Sequence, residues 1–315
     1  MRIDKQQCAE RLLAHDEFTV LSHEHPDGDT LGCAFALCAA LKMLGKKREF
    51  RCGDTVPHDF SFLTDGFRND EVHHPYVVAV DVADPGLLGS LRAEYGDKVD
   101  LCIDHHPSNT LYAKETLLEE RAAAAEILYE LMPLLRVEPD RYIRECIYTG
   151  VSTDTGCFRY PNTTPASFRI VAELTEKGID SRTINKLMFE TRTKSFLALE
   201  LLARKTLEYH CDGRCAIITV TNDMFRESGS DESECTPITA LPRQIEGVRV
   251  GAVFKQKPDG TFNVSVRTDG DIDASAICKK LGGGGHRGAA GCSVDDYEDG
   301  KARLLAEIAA ALNAQ

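Results

Sequence analysis

Phe18-Thr19-Val20-Leu21-Ser22-His23-Glu24-His25-Pro26-Asp27-Gly28-Asp29-Thr30-Leu31-Gly32 is the stretch that decides the fold. The apolar run 18–21 reads as a strand and the Ala/Leu-rich segment 33–44 as a helix, with a polar turn between them. That turn carries one imidazole and two carboxylates, His23, Asp27 and Asp29, in an H-x-x-x-D-x-D pattern. Carboxylates two residues apart repel unless a cation lies between them, and a divalent metal is the economical partner. Gly28 leaves room for an approach to the backbone. An EF-hand is excluded, because Leu31 stands where that loop needs an oxygen ligand.

The same arrangement recurs downstream. Tyr76-Val77-Val78-Ala79-Val80 is a continuous run of the kind buried on both faces of a parallel sheet, and it ends in Asp81. Residues 99–103 form another such run, ending in Asp104-His105-His106. Helices are expected at residues 8–16, 30–44, 122–135, 139–149 and 165–177, and a short strand at 48–52. Residues 53–75 read as loop, and Gly45 and Gly178 as helix stops. The segment Gly150–Gly156, expected after the fourth helix, carries Asp154. Strands alternating with helices predict an α/β domain with a mostly parallel, doubly wound sheet, in which ligands bind at the carboxyl ends of strands. His23, Asp81 and Asp104/His105 stand at three such ends, and Asp154 is a fourth contributor.

Asp27, Asp29, Asp81 and Asp154 would bring four negative charges into one crevice. Two divalent cations would neutralise them and generate a bridging hydroxide at neutral pH. Mixed carboxylate and imidazole donors suit Mn²⁺ better than Mg²⁺, while Zn²⁺, Fe²⁺ and Co²⁺ remain open. His25, His73 and His74 lie off the spacing and read as loop residues. Phe158 and Tyr160 read as core or rim aromatics in preference to base-stacking residues.

The second half has a different texture. A polar helical connector spans 186–207, separating residues 1–185 from 208–315. Strands are expected at 216–220, 248–255 and 261–267, helices at 273–281 and 300–312, and an acidic loop at 222–247. This is a smaller α+β domain. Within it, Leu281-Gly282-Gly283-Gly284-Gly285-His286-Arg287-Gly288-Ala289-Ala290-Gly291 follows a helix, so it is no dinucleotide fingerprint, and it lacks the Lys-Ser/Thr of a P-loop. The glycine turn, Gly283, Gly284 and Gly285 included, reads as a phosphate-gripping loop of backbone amides with His286 and Arg287 as cations. Arg267 either joins them or is an ordinary salt-bridged arginine.

Composition sets the outer limits. The 315 residues are 43% hydrophobic and 28% charged with a net charge of −13, a balance that argues against long nucleic acids held by many phosphate contacts. There is no apolar run of about 18 residues and no apolar signal core at the N-terminus, so a cytoplasmic protein without membrane segments is expected. The 12 cysteines include no C-x-x-C, which favours buried thiols over disulfides or structural zinc.

The order His23-x-x-x-Asp27-x-Asp29, Asp81, Asp104-His105-His106, Asp154 resembles the DHH phosphoesterase superfamily, and the glycine–His segment resembles its DHHA1 domain. The likeness spans nearly the whole chain and is strongest to the nanoRNase/pAp phosphatases, two-domain bacterial enzymes that degrade very short RNA. It implies that His23 and Asp27 bind one Mn²⁺, that Asp29, His105 and Asp154 bind a second, and that Asp81 bridges both. His106 would contact the scissile phosphate or protonate the leaving oxygen, and Asp104 would orient the histidines. Arg267, Gly283, Gly284, Gly285 and His286 would hold a substrate phosphate. Substrate choice would fall to the cleft between the domains. The absence of transmembrane segments, of an added OB-type domain and of a pyrophosphatase-type second domain narrows the resemblance to the minimal DHH–DHHA1 pair. The expected activity is hydrolysis of short RNA to mononucleotides, with 3′-phosphate removal from pAp beside it. Linear or cyclic dinucleotides are the alternative substrates. A non-enzymatic nucleotide-binding protein fits poorly with so complete a ligand set. Oligomeric state is left open, a homodimer included.

Overall fold

Val78 and Val80 point into one apolar layer and Val77 and Ala79 into another, so the strand holding them is buried on both faces. It is the fourth of six: β1 (Arg2–Ile3), β2 (Glu17–Leu21), β3 (Lys47–Arg51), β4 (Tyr76–Val80), β5 (Leu101–Asp104) and β6 (Glu115–Leu118). Their order is β1-β6-β5-β4-β2-β3, and every pairing is parallel. The order reverses between β2 and β4, because β2 has β3 on one side and β4 on the other. That reversal is where an open parallel sheet opens a crevice at its carboxyl edge. The sequence suggests neither β1 nor β6, since two and four residues are too short to establish a pattern.

The computed structural model describes residues 1–285 and 287–314, the side chain of Ser233 excepted, and divides into two compact units, Met1–Thr191 and Arg192–Gln315. In the first, α1 (Lys5–Ala14), α2 (Gly28–Met43), α5 (Ala124–Leu134) and α6 (Arg141–Asp154) share one core with a face of the sheet. The short α3 (Ser61–Thr64) and α4 (Arg92–Tyr95) lie in the long connections, and α7 (Pro165–Glu176) and α8 (Ser181–Asn185) follow α6. A 3₁₀ segment, Pro85–Leu91, contributes Leu88 and α4 contributes Tyr95 to the opposite face. Helix α2 is buried nearly all round. Its Gly32 approaches the Cys146 carbonyl so closely that a Cβ would lie 2.4 Å from it. The expected stop near Thr149 is wrong: α6 runs on to Asp154. Thr149, Thr153 and Thr155 return their hydroxyls to the carbonyls of Glu145, Thr149 and Val151, so these residues are accommodated at the helix end.

Residues 186–207 comprise a π-helical turn, Lys186–Glu190, ending the first unit and α9 (Lys194–Arg204) opening the second. The second unit has a mixed sheet, β7 (Glu208–His210), β8 (Cys215–Val220), β9 (Val250–Gln256), β10 (Phe262–Thr268), β11 (Gly284–Gly285) and β12 (Ala289–Val294), in the order β11-β12-β10-β9-β8-β7. Helices α11 (Ala274–Lys279) and α12 (Tyr297–Asn313) pack on one face, and α9 with the segment Glu232–Ala240 on the other. The expected acidic loop 222–247 contains α10 (Asn222–Ser228) and 3₁₀ turns. Ala289-Ala290-Gly291, for which no strand was expected, opens strand β12 paired with β10.

Candidate metal centre

His23 lies two residues beyond β2. Its Nδ1 donates to the Glu24 carbonyl at 2.8 Å, which turns Nε2 toward Asp27 Oδ1 at 3.7 Å and Asp81 Oδ2 at 3.9 Å. Asp27 caps α2, its Oδ1 accepting the amides of Asp29 and Thr30. Asp29 follows in the first turn of α2. Its two oxygens accept the amides of Ala124 (2.6 Å) and Ala125 (3.0 Å), the first residues of α5. Helix α5 has no side-chain cap of its own, so a carboxylate from another helix satisfies its exposed amides.

Asp81 immediately follows β4 with φ of +59°, a left-handed conformation uncommon outside glycine but accessible to Asp. It is 3% exposed. His105 follows β5, and its Nδ1 donates to the Arg121 carbonyl at 3.0 Å. Its Nε2 is 3.4 Å from Asp81 Oδ1, 3.5 Å from Asp154 Oδ2 and 3.9 Å from Asp29 Oδ2. Asp154 is the last residue of α6. Residues separated by more than a hundred positions thus meet at the carboxyl edge of the sheet.

Among the described residues, three sets of side chains converge closely enough to hold an ion: His23, Asp27 and Asp81; Asp29, His105 and Asp154; and Asp81, His105 and His106. Asp81 belongs to two of them. Its buried Oδ1 has no hydrogen-bond partner, the kind of orphan that a cation satisfies. Both His23 and His105 have Nδ1 engaged by carbonyls, which can only accept, so the neutral rings would present Nε2 lone pairs to the carboxylate cluster. This donor set fits divalent metals.

The electrostatics agree. Burial and the charge of Asp29 hold Asp81 well above the usual carboxylate range. Asp29 is raised by burial, against His105 and with Asp27, and burial with Asp29 pushes Asp154 up to about 8. Burial alone would lower His23 and His105. Asp27 and Asp81 instead raise His23 to about 9, and Asp81 and Asp29 raise His105 to about 10.

Asp104 is buried at the end of β5. Its Oδ1 accepts His106 Nδ1 at 2.8 Å and the His105 amide at 2.8 Å, so it orients His106 and the backbone that carries both rings. Its Oδ2 accepts Asn109 Nδ2 at 2.5 Å. Sequence reasoning missed Asn109, for which the only signal is its position five residues after Asp104. It also missed Gly150, where a Cβ would lie 2.6 Å from Asp29 Oδ1. His25 pairs with Asp54 at 2.9 Å, and the His73 and His74 amides donate to Glu17, as loop residues would.

In the second unit Arg267 is the penultimate residue of β10, opposite Ala289, and its guanidinium approaches the Val266 carbonyl and the Thr239 hydroxyl. Gly283 and Gly285 have a packing reason to be glycine: a Cβ would lie 2.1 Å from the Gly291 carbonyl at the first and 2.7 Å from Ala290 Cα at the second. Gly284 faces open space. His286, expected to join this group, lies outside the described residues.

Comparison with known proteins places these features in a lineage. Residues 17–151 match the DHH family, N-terminal domain, and residues 214–314 match the DHHA1 domain. The chain is 32% identical over 301 residues to the bifunctional oligoribonuclease and PAP phosphatase NrnA of Thermus thermophilus, covering 92% of this chain and 88% of that one. The Bacillus subtilis protein of the same name is 25% identical over 302 residues, covering 92% and 93%. The crystal structure of an exopolyphosphatase-related protein from Bacteroides fragilis superposes with a TM-score of 0.86 at 19% identity, covering 98% of this chain and 96% of that one. No helix among the described residues is long and apolar enough to cross a membrane. Two domain matches in this order, with a relative 32% identical that is covered along 88% of its length, show that this chain belongs to the DHH family with its DHHA1 domain.

Proposed function

We propose that the protein is a phosphoesterase that hydrolyses short oligoribonucleotides to mononucleotides and removes the 3′-phosphate of pAp. The observation that carries this reading is that buried Asp81 converges with His23 and Asp27 in one ligand set and with His105 and His106 in another, while His105 also converges with Asp29 and Asp154. Relatives named for those two activities match along most of their length. Two divalent cations, with Mn²⁺ the ion these donors suit, would supply Lewis acidity toward the phosphate and ease deprotonation of the attacking water. Asp104, held by Asn109, fixes the His106 ring, and we assign that ring to the protonation of the leaving oxygen. We assign Arg267, Gly283–Gly285 and His286 to holding a substrate phosphate, and the acidic surface suits short substrates over polymers.

The test is turnover of a labelled diribonucleotide, a pentamer, pAp and cyclic di-AMP side by side, with and without Mn²⁺. Metal-dependent release of mononucleotides, lost in Asp81→Ala, supports the assignment. Activity persisting in Asp81→Ala would remove the shared-carboxylate centre from consideration. Cyclic di-AMP as the single substrate would replace the oligonucleotide reading with a dinucleotide phosphodiesterase.

A further inference from the structure

Phe158 and Tyr160 follow Asp154 closely, and the sequence offers no reason to separate them. The structure does. Phe158 is half-buried, with its ring 5.5 Å from Phe168 and 6.5 Å from Tyr148. Tyr160 remains 48% exposed. An exposed tyrosine is ordinarily mobile, but this one is held. Gly156, Cys157 and Phe158 all have left-handed backbones, with φ of 56°, 56° and 63°, and they turn the chain back on itself. The amides of Arg159 and Tyr160 both donate to the Thr155 carbonyl at 3.0 Å. The Tyr160 ring is thereby laid on Gly156, where Cζ, Cε1 and Cε2 come within 2.4–2.6 Å of the position a Cβ would take. One face of the ring rests on bare backbone, which leaves the other for solvent.

The mounting is tied to the metal centre. Asn162 Nδ2 donates to the carbonyls of Asp154 and Ala122, both at 3.0 Å. Asp154 is a candidate ligand, and Ala122 follows Arg121, whose carbonyl holds His105. Two residues on, the Ala124 amide holds Asp29. The turn bearing Tyr160 is thus fastened to the backbone of the segments that set Asp29, His105 and Asp154. A fixed, exposed aromatic face on the turn that follows a candidate metal ligand has the character of a stacking surface for a planar ring.

We propose that Tyr160 is a stacking platform for a nucleobase of the substrate and sets a preference for base-bearing phosphodiesters over base-free ones. This rests on the nucleotide-hydrolysing function proposed above. The experiment compares kcat/KM for a diribonucleotide and for its abasic analogue in the wild-type protein, Tyr160→Leu and Tyr160→Phe. The preference for the base-bearing substrate should fall on the order of ten-fold or more in Tyr160→Leu, mainly through KM, and survive in Tyr160→Phe. An unchanged preference in Tyr160→Leu, or an equal loss in Tyr160→Phe, overturns the platform. Wild-type inactivity on both substrates overturns the functional reading instead. Calorimetric binding of adenosine 5′-monophosphate against ribose 5-phosphate then decides on Tyr160 by itself, and equal affinities for the two ligands overturn it.

Discussion

Loading the metal-free protein with Mn²⁺ at pH 7 should expel about three protons, a number that follows from the geometry of the cluster. Glu24 and Arg121 retain the Nδ1 protons of His23 and His105, so the proton that a ligand imidazole must lose is the one on Nε2. With His23 raised to about 9 and His105 to about 10, both are almost fully protonated at neutral pH. Asp154, pushed up to about 8, is roughly nine-tenths protonated there. One proton from each gives about three. The sign follows directly: binding releases protons, so apparent affinity rises with pH. Its logarithm should climb by about three per pH unit near 7, flatten toward two above about 8, and level off past about 10. Titration calorimetry in two buffers of different ionisation enthalpy counts the protons, and His105→Gln should remove about one of them. Release of one proton or none by the wild-type protein at pH 7 would refute the reasoning.

Three further outcomes can be checked by melting curves and activity. Gly150→Ala places a methyl 2.6 Å from Asp29 Oδ1 and from Ala125 Cβ, and should cost about 1–3 kcal/mol of stability together with metal affinity. A variant that melts and binds Mn²⁺ like the wild type would show that α2 and α6 separate freely. Asp81→Asn should abolish metal-dependent turnover yet raise the stability of the chelator-treated protein by about 1–2 kcal/mol, because it removes a buried charge and Asn accepts the left-handed backbone; a lower melting point in chelator would contradict this. Glu17, lowered to about 2 by the amides of His73 and His74 and by Lys47, contributes stability that is fully present above pH 4.5 and lost as pH falls through 2. The melting difference between wild type and Glu17→Gln should therefore be largest near neutrality and shrink toward pH 2, and a difference independent of pH would rule out the carboxylate as its source.

The parallel sheet was legible in the sequence because its central strands are buried on both faces, leaving continuous runs such as Tyr76–Val80. The candidate ligands were legible because His23, Asp81 and His105 interrupt apolar texture just beyond strands, while Asp27, Asp29 and Asp154 stand at helix ends. What stayed hidden depended on partners distant in sequence. The helix at 122–135 was legible from its own residues, but not the group that caps α5, which comes from Asp29. The extension of α6 to Asp154 contradicts the habit of reading Gly150 as a stop, and only the close passage of α2 explains a glycine there. Strand β12 was concealed by small residues, Ala289-Ala290-Gly291, whose pairing with β10 supplies what their side chains do not.

The double engagement of Asp29 has an evolutionary consequence. The carboxylate that faces the candidate metal centre also begins helix α5, through the amides of Ala124 and Ala125. His23 carries no comparable duty to the scaffold: its Nδ1 bonds its neighbour's carbonyl, and its Nε2 faces Asp27 and Asp81 of the cluster itself. A descendant relieved of selection for catalysis would be free to discard His23 at little cost to folding, but would retain Asp29 to keep its helix. In this lineage an intact Asp29 is weak testimony to an active enzyme, and the fate of His23 is the more telling record of whether the chemistry is still in use.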